Sequence, residues 1–415
     1  MTSRSTTIIN GQYLLLMEGE VGGGCEREKS AISYLGLHDR WKSGSLVVDI
    51  RRYAQVGMGK VVIISIWLLL RILRPPDAHS QRAMVMRNVH VFSINILTMV
   101  GKKEWKVTDI PDLSGRVAIV TGGNTGLGYI TVRELARNGA RVYMLSRTES
   151  RALAAIEKIK TELGSELKPE IEYINFNLLS LKSAKKAAEE YMQREQRLDI
   201  LVNNAGIMAT PYELGPDGIE MQACNGTGHF ALTVTLIPIL KDTAAMPGSH
   251  VRIVNITSGG YMLANMTKPD FTSLEGLNQK TFGTWGRYGL SKLTNILLTN
   301  ELQKRFTAAG INNIYCLAVH PGAVNTELSR GLLESWPFLA PLRRVGRMMT
   351  TNPDRGALTQ LYAATSPEVV EKDLKATLLF PIAQVEAKAS IAKDKDGKLG
   401  GDFWRLCEEL MRQKA

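Results

Sequence analysis

Tyr288 and Lys292 stand four residues apart in Tyr288-Gly-Leu-Ser-Lys292, about 160 residues after the glycine-rich stretch Thr121-Gly-Gly-Asn-Thr-Gly-Leu-Gly128. A phenol and an ammonium at i and i+4 share one face of a helix. A free tyrosine, with a pKa of about 10, exchanges protons poorly near neutrality, and a cation beside it favours the phenolate. The pair therefore suits delivery of a proton to an oxygen on which charge develops. The glycine-rich stretch suits a different task. Glycine leaves no Cβ where backbone must approach a pyrophosphate, and the helix behind it aims amide N–H groups at the phosphates. On this reading Gly122, Asn124, Thr125, Gly126, Leu127 and Gly128 form a dinucleotide cradle. Either half alone is a weak signal; together they predict hydride and proton transfer between a nicotinamide and a carbonyl.

The elements that must position these groups follow from residue 113 onward. Short apolar runs at 116–121, 141–146, 171–176, 198–203, 251–256 and 314–319 read as strands, with 378–382 as a seventh. Helical stretches lie between them, including a long one over 217–241 and one carrying Tyr288 and Lys292 to about Ala309. Such alternation predicts an α/β fold, a doubly wound parallel (Rossmann) sheet of six to seven strands with helices on both faces. Ligands then bind at the carboxyl ends of the strands. One domain over 101–415 is expected, with variable loops at about 259–287 and 324–350.

The second strand ends at Ser146-Arg147, where an acidic residue would favour NAD. A guanidinium there can pair with a 2′-phosphate, so NADP(H) is the expected cofactor. The alternative is a solvated arginine at a strand end.

Five motifs in order, Thr121-Gly-x-x-x-Gly-x-Gly128, Asn203-Asn-Ala-Gly206, Ser258 after Val-Asn-Ile-Thr, Tyr288-x-x-x-Lys292 and Pro321-Gly322, resemble the short-chain dehydrogenase/reductase family over roughly 113–385. The resemblance implies that Asn204 and Ala205 lie against the adenine ribose, and that Val324 and Thr326 wrap the nicotinamide carboxamide. It places Asn177 near the adenine, where the family usually carries aspartate. It implies that Tyr288 is the proton donor and that Lys292 lowers its pKa and binds the ribose. Ser258 would hold the carbonyl, with Thr257 as its competitor, and Asn225 would support a water and the lysine in a relay. His229 and His320 read as structural neighbours of these motifs.

Ser258 and Tyr288 are 30 residues apart, and the intervening Tyr261, Met262, Leu263, Phe271, Phe282 and Trp285 are apolar. Leu328, Leu332, Leu333, Trp336, Phe338 and Leu339 continue that character beyond the sixth strand. A lipophilic small-molecule substrate is expected. The insert, with Lys292-Leu-Thr-Asn295 and His320-Pro-Gly-Ala-Val-Asn-Thr326, resembles the retinol-dehydrogenase-like branch and many fungal reductases of secondary metabolism. Two rivals stay open: an enone reductase of the same family, and an NADP-binding sensor or scaffold without catalysis.

The net charge of +11 is spread along the chain, since residues 1–100 hold 12 Lys/Arg against 7 Asp/Glu and contribute +5 of it. No basic stripe with interleaved aromatics occurs, which argues against nucleic acid as a partner. Residues 1–100 lack a sustained period and read as an extension of uncertain order. The apolar run within 58–74 is shorter than the roughly 20 residues a bilayer requires. Its alternatives are a membrane-surface anchor or a signal-like segment if translation began at Met58. A cytoplasmic location fits Cys25, Cys224, Cys316 and Cys407, which show no metal-ligand spacing. The sequons at Asn225, Asn255 and Asn265 are discounted because the first two fall in segments that read as buried. Lys393-Asp-Lys-Asp-Gly-Lys398 reads as a charged loop without a full calcium ligand set. Both a monomer and a homodimer remain open.

Overall fold

The computed structural model describes residues 104–164, 169–280, 283–322, 324 and 352–415, together with three strands near the start of the chain. Contacts divide the chain into two units, Met1–Gly101 and Lys102–Ala415. In the first, β1 (Thr6–Ile9), β2 (Gln12–Glu18) and β3 (Ser45–Val47) form an antiparallel sheet in that order. The apolar run at 58–74 lies outside the described residues. Among the described residues no helix is long and apolar enough to cross a membrane.

The second unit is built on eight strands in the order β11-β10-β9-β8-β7-β4-β5-β6. These are β4 (Val117–Thr121), β5 (Arg141–Ser146), β6 (Ile171–Asn175), β7 (Ile200–Asn203), β8 (Val251–Ile256), β9 (Ile314–Val319), β10 (Thr377–Phe380) and β11 (Gln384–Glu386). All pair in parallel except β11, which folds back antiparallel on β10. It is one strand more than the sequence suggests, because three residues of unremarkable composition carry no period of their own. Every residue of β4, β7, β8 and β9 is buried, the continuous apolar pattern of strands covered on both faces.

Helices α1 (Gly126–Arg137) and α2 (Glu149–Leu163) cover one face. The other is covered by α3 (Leu181–Arg194), α4 (Cys224–Thr235) and α5 (Ile237–Ala245). A short α6 (Leu274–Leu277) precedes α7 (Gly283–Ala308), which packs on the α4 face. Next come α8 (Pro353–Thr365), on the α1 face, and α9 (Glu368–Glu371). Short α10 (Ser390–Lys393) and the long α11 (Lys398–Lys414) complete the chain. The single helix expected over 217–241 is two. Glu220 accepts N–H bonds from Gln222 and Ala223 at 3.0 and 3.1 Å, so a turn occupies the beginning. Pro238, which has no N–H to donate, sits in the first turn of α5, where none is required.

The charged stretch Lys393–Lys398 is the entry to α11. Asp394 accepts from Leu399 N and Gly400 N at 3.0 and 2.7 Å, capping that helix. Phe403 and Trp404 of α11 then pack edge-on against Phe230 of α4, at 6.3 and 4.9 Å between ring centres. This C-terminal helix thus buttresses the elements that carry the chemistry.

From β4 the chain moves to β5 and β6 on one side and returns to β7 on the other. The carboxyl ends of β4 and β7 are therefore the switch point where an open α/β sheet receives ligands.

Candidate active site

A cleft of about 750 Å³ opens at that switch point. At one end Gly122 turns with φ +65°, and a Cβ there would lie 3.0 Å from the Cα of Ala205. A Cβ on Gly128 would meet the Asn204 amide nitrogen at 2.6 Å and collide with the Gly122 carbonyl. Asn204 fixes this approach by donating its side-chain N–H to Thr121 O at 2.8 Å. Thr121 Oγ1 accepts from the backbone N–H of both Asn204 and Ala205 at 2.9 Å. Among the described residues no side chain caps α1, which leaves the N–H groups of Gly126 and Leu127, at the cleft, to an anion. The cradle fits a dinucleotide pyrophosphate.

Gly122, Asn124, Thr125, Gly126 and Leu127 line this end, with Arg147, Asn177, Asn204 and Ala205. Gly128 shapes the turn from behind without lining it. Asn177 spends its Oδ1 on Leu179 N at 3.2 Å. Arg151, not singled out from sequence, lines the cleft with Arg147. It lies on the first turn of α2, one turn beyond Arg147, and that spacing was its only signal. Neither guanidinium pairs with a carboxylate among the described residues. Val324 lines the cleft, whereas Thr326 and the apolar stretch 328–339 lie outside the described residues.

The other end holds Ser258, Tyr288 and Lys292. Ser258 begins the 3-10 turn Gly259–Met266, and its Oγ accepts from Gly260 N at 3.2 Å. Tyr288 lines the cleft beside that same Ser258. Thr257 instead donates its hydroxyl to the Lys292 carbonyl at 2.7 Å, so it is committed to packing. Lys292 Nζ donates to Ile256 O at 3.0 Å and stands 5.8 Å from the centre of the Tyr288 ring.

Burial governs the ionisation of both groups. It pushes the Tyr288 phenol up to about 12, with the neighbouring Ser258 side chain pulling the other way. It pushes the Lys292 ammonium down to about 8. The lowering of Tyr288 by Lys292 that the spacing suggested does not appear, because desolvation penalises charge on each.

Asn225 is fully buried and does not line the cleft. Its amide grips Ile207, accepting from Ile207 N at 2.8 Å and donating to Ile207 O at 2.9 Å, and reaches Ser291 Oγ at 3.0 Å. It therefore acts on the cleft through Ile207, which does line it. His320 does too, against expectation, with its ring edge on Phe380 at 4.7 Å. Burial, then Lys292, push it down to about 4. Met208, Leu263 and Trp285 make this end apolar. Among the described residues no group of acidic, histidine and cysteine side chains could hold a metal ion.

A short chain dehydrogenase family model matches residues 116–269. An uncharacterized oxidoreductase of Schizosaccharomyces pombe is 40% identical over 292 residues, 69% of this chain and 83% of that protein. The short-chain dehydrogenase/reductase drtF of Aspergillus calidoustus is 36% identical, over 74% of this chain and 96% of its own length. Human polyprenol dehydrogenase is 33% identical, over 62% and 75%. Among solved structures, an uncharacterized protein from Mycobacterium paratuberculosis superposes with a TM-score of 0.57 at 31% identity, covering 75% of this chain and 98% of that one. These likenesses, with a nucleotide cradle at the switch point of the sheet, make the chain an oxidoreductase of the short-chain dehydrogenase/reductase family.

Proposed function

We propose that this protein is an NADP(H)-dependent reductase that interconverts a ketone or aldehyde and an alcohol on a lipophilic small molecule. The observation that carries the reading is the grouping of Ser258, Tyr288 and Lys292 in the same cleft as the glycine cradle. Bound NADPH supplies the hydride. Ser258 donates to the carbonyl oxygen and holds it beside the phenol. Tyr288, kept protonated by its burial, gives that oxygen its proton as charge develops. Lys292 keeps a positive charge near the developing oxyanion, and Asn225 holds the Ile207 backbone that lines the wall.

Arg147 and Arg151, exposed at the far end and without a carboxylate partner among the described residues, favour a 2′-phosphate and hence NADP(H) over NAD(H). A lipophilic substrate is supported by Met208, Leu263 and Trp285 within the cleft and by Met262 and Met266 nearby, 45% and 54% exposed. The relative named polyprenol dehydrogenase points the same way. The likeness to fungal short-chain reductases supports a place in secondary metabolism.

The test is NADPH oxidation with decanal, acetophenone and citral, run beside Tyr288→Phe. Wild type should turn over at least one carbonyl and yield its alcohol, while the variant binds NADPH and loses turnover by a factor of at least about 100. Equal rates would refute the assignment. Saturation of the citral double bond with its aldehyde intact would move the protein to the enone reductases.

A further inference from the structure

His229 is fully buried on α4, lines no part of the cleft, and has both ring nitrogens engaged. Its Nδ1 lies 2.9 Å from the Asn225 carbonyl oxygen and its Nε2 lies 3.0 Å from Thr121 Oγ1. These contacts determine where every proton sits. A carbonyl oxygen can only accept, so Nδ1 must carry the hydrogen. Nε2 of the neutral ring is then an acceptor. Thr121 Oγ1 already accepts from Asn204 N and Ala205 N, each at 2.9 Å, which uses both lone pairs. Its single proton is therefore free to go to Nε2, the nearer of its two acceptors; Val202 O is 3.5 Å away. Each donor meets one acceptor and nothing is left over.

The chain continues beyond Asn225. The Asn225 amide donates to Ser291 Oγ at 3.0 Å, and Ser291 donates to the Tyr288 carbonyl at 2.9 Å. One buried line of hydrogen bonds thus runs from the cofactor turn at Asn204–Ala205, through Thr121, His229, Asn225 and Ser291, to the residue bearing the phenol. Phe176 stacks on the His229 ring at 6.2 Å, which holds its plane.

We propose that His229 is a positioning residue whose Nδ1–H tautomer locks the cofactor turn and the Tyr288 helix into one register. A protonated ring would aim a second donor at a hydroxyl with no lone pair left. Burial also disfavours the cation, taking the ring down to about 3, so the link stays neutral across the working range. In low-dielectric surroundings such a fully satisfied network is rigid, and a gap in it is costly.

The proposal rests on the function proposed above for the consequence at Tyr288, but its core can be read without turnover. Protein labelled with 15N in histidine should show His229 as a neutral Nδ1–H tautomer near pH 7. An Nε2–H tautomer or a titrating ring would overturn the proposal, and this measurement needs no variant. Substitution then separates the two arms. His229→Gln, whose amide reaches the Nε2 position, keeps the Thr121 contact; it should lose on the order of tenfold in kcat and less in NADPH affinity. His229→Asn, whose amide occupies the Nδ1 position, should show the reverse, with the larger loss in NADPH affinity measured by fluorescence titration. Parallel losses in both variants, tracking only their melting temperatures, would reduce His229 to a packing residue and sink the proposal. If wild type binds NADPH yet reduces no carbonyl, the proposed function falls while the tautomer and the affinity arm still decide this one.

Discussion

Replacing Lys292 by methionine should stabilise the fold while abolishing the reaction. Burial draws the Lys292 ammonium from an ordinary 10.5 down to about 8. At about 1.4 kcal/mol per pH unit, that displacement holds roughly 3 kcal/mol against folding at neutral pH. The sign follows from proton counting. Between the two values the unfolded chain binds more protons, so wild-type stability rises with pH across that window. The penalty is complete below about 8 and gone above 10.5, where the lysine is neutral in both states. Methionine matches the aliphatic stem and removes the charge. What it loses is the bond from Nζ to Ile256 O at 3.0 Å, and that carbonyl keeps the Asn295 amide at 2.8 Å. Subtracting about 1 kcal/mol for the lost bond leaves a net gain of about 2 kcal/mol, or roughly 4 °C in Tm for a domain of this size. Calorimetry of both proteins near pH 7 and again near pH 10.5 measures it. The variant should lead at the lower pH and lose its lead at the higher. A variant destabilised equally at both would show that the ammonium carries no burial penalty, and the reasoning would fail.

Removing Arg147 or Arg151 should weaken NADPH by about 10- to 100-fold and leave NADH within about threefold, measured by fluorescence titration. Gly128→Ala drives a Cβ into the Gly122 carbonyl and should cost at least about 3 kcal/mol together with NADPH binding. Gly115→Ala, with open space around it but φ +75°, should cost about 1 kcal/mol and leave cofactor affinity intact. The carbonyl-reduction rate should fall as pH rises through about 8, where Lys292 loses its charge, while Tyr288 stays protonated to about 12. A chain beginning at Lys102 should keep NADPH affinity and its main unfolding transition, since among the described residues both cores are assembled from Trp105 onward.

Much of the fold was legible because parallel strands covered on both faces read as unbroken apolar runs. The bounds of 141–146, 251–256 and 314–319 coincide with β5, β8 and β9. Gly139, in the left-handed region at φ +93°, follows the end of α1, where glycine commonly stops a helix. The misses share a cause. Helix α11 hides because its apolar face (Phe403, Trp404, Cys407, Leu410) is interleaved with Arg405, Glu408 and Glu409 in a charged composition. The division of 217–241 depended on Glu220 bonding backbone N–H groups two and three residues ahead, and also Arg287 at 3.1 Å. An acidic residue in an apolar stretch does not reveal whether it caps a turn or faces solvent.

Within the site, motif spacing brought Ser258, Tyr288 and Lys292 together but was silent about what each hydrogen bond joins. Thr257 and Ser258 are adjacent hydroxyls of nearly equal promise in sequence, separated only when Thr257 is found donating to Lys292 O, 35 positions away. His229 reaches Thr121 across 108 positions, and Asn225 reaches Ser291 across 66. Side-chain partners at such separations are chosen by the crossing of α4 over the sheet beside α7. The same chemistry makes opposite outcomes possible for identical residue types. His229, sealed between Phe176 and β4, has both nitrogens satisfied by protein. His320, at the carboxyl end of β9, accepts from Gly322 N at 3.4 Å on Nδ1 and keeps its other nitrogen toward Gly259 and the cleft. Burial alone cannot distinguish the two, since it depresses both rings. The difference lies in whether the second nitrogen meets a hydroxyl already committed to the backbone or the space where a substrate must sit.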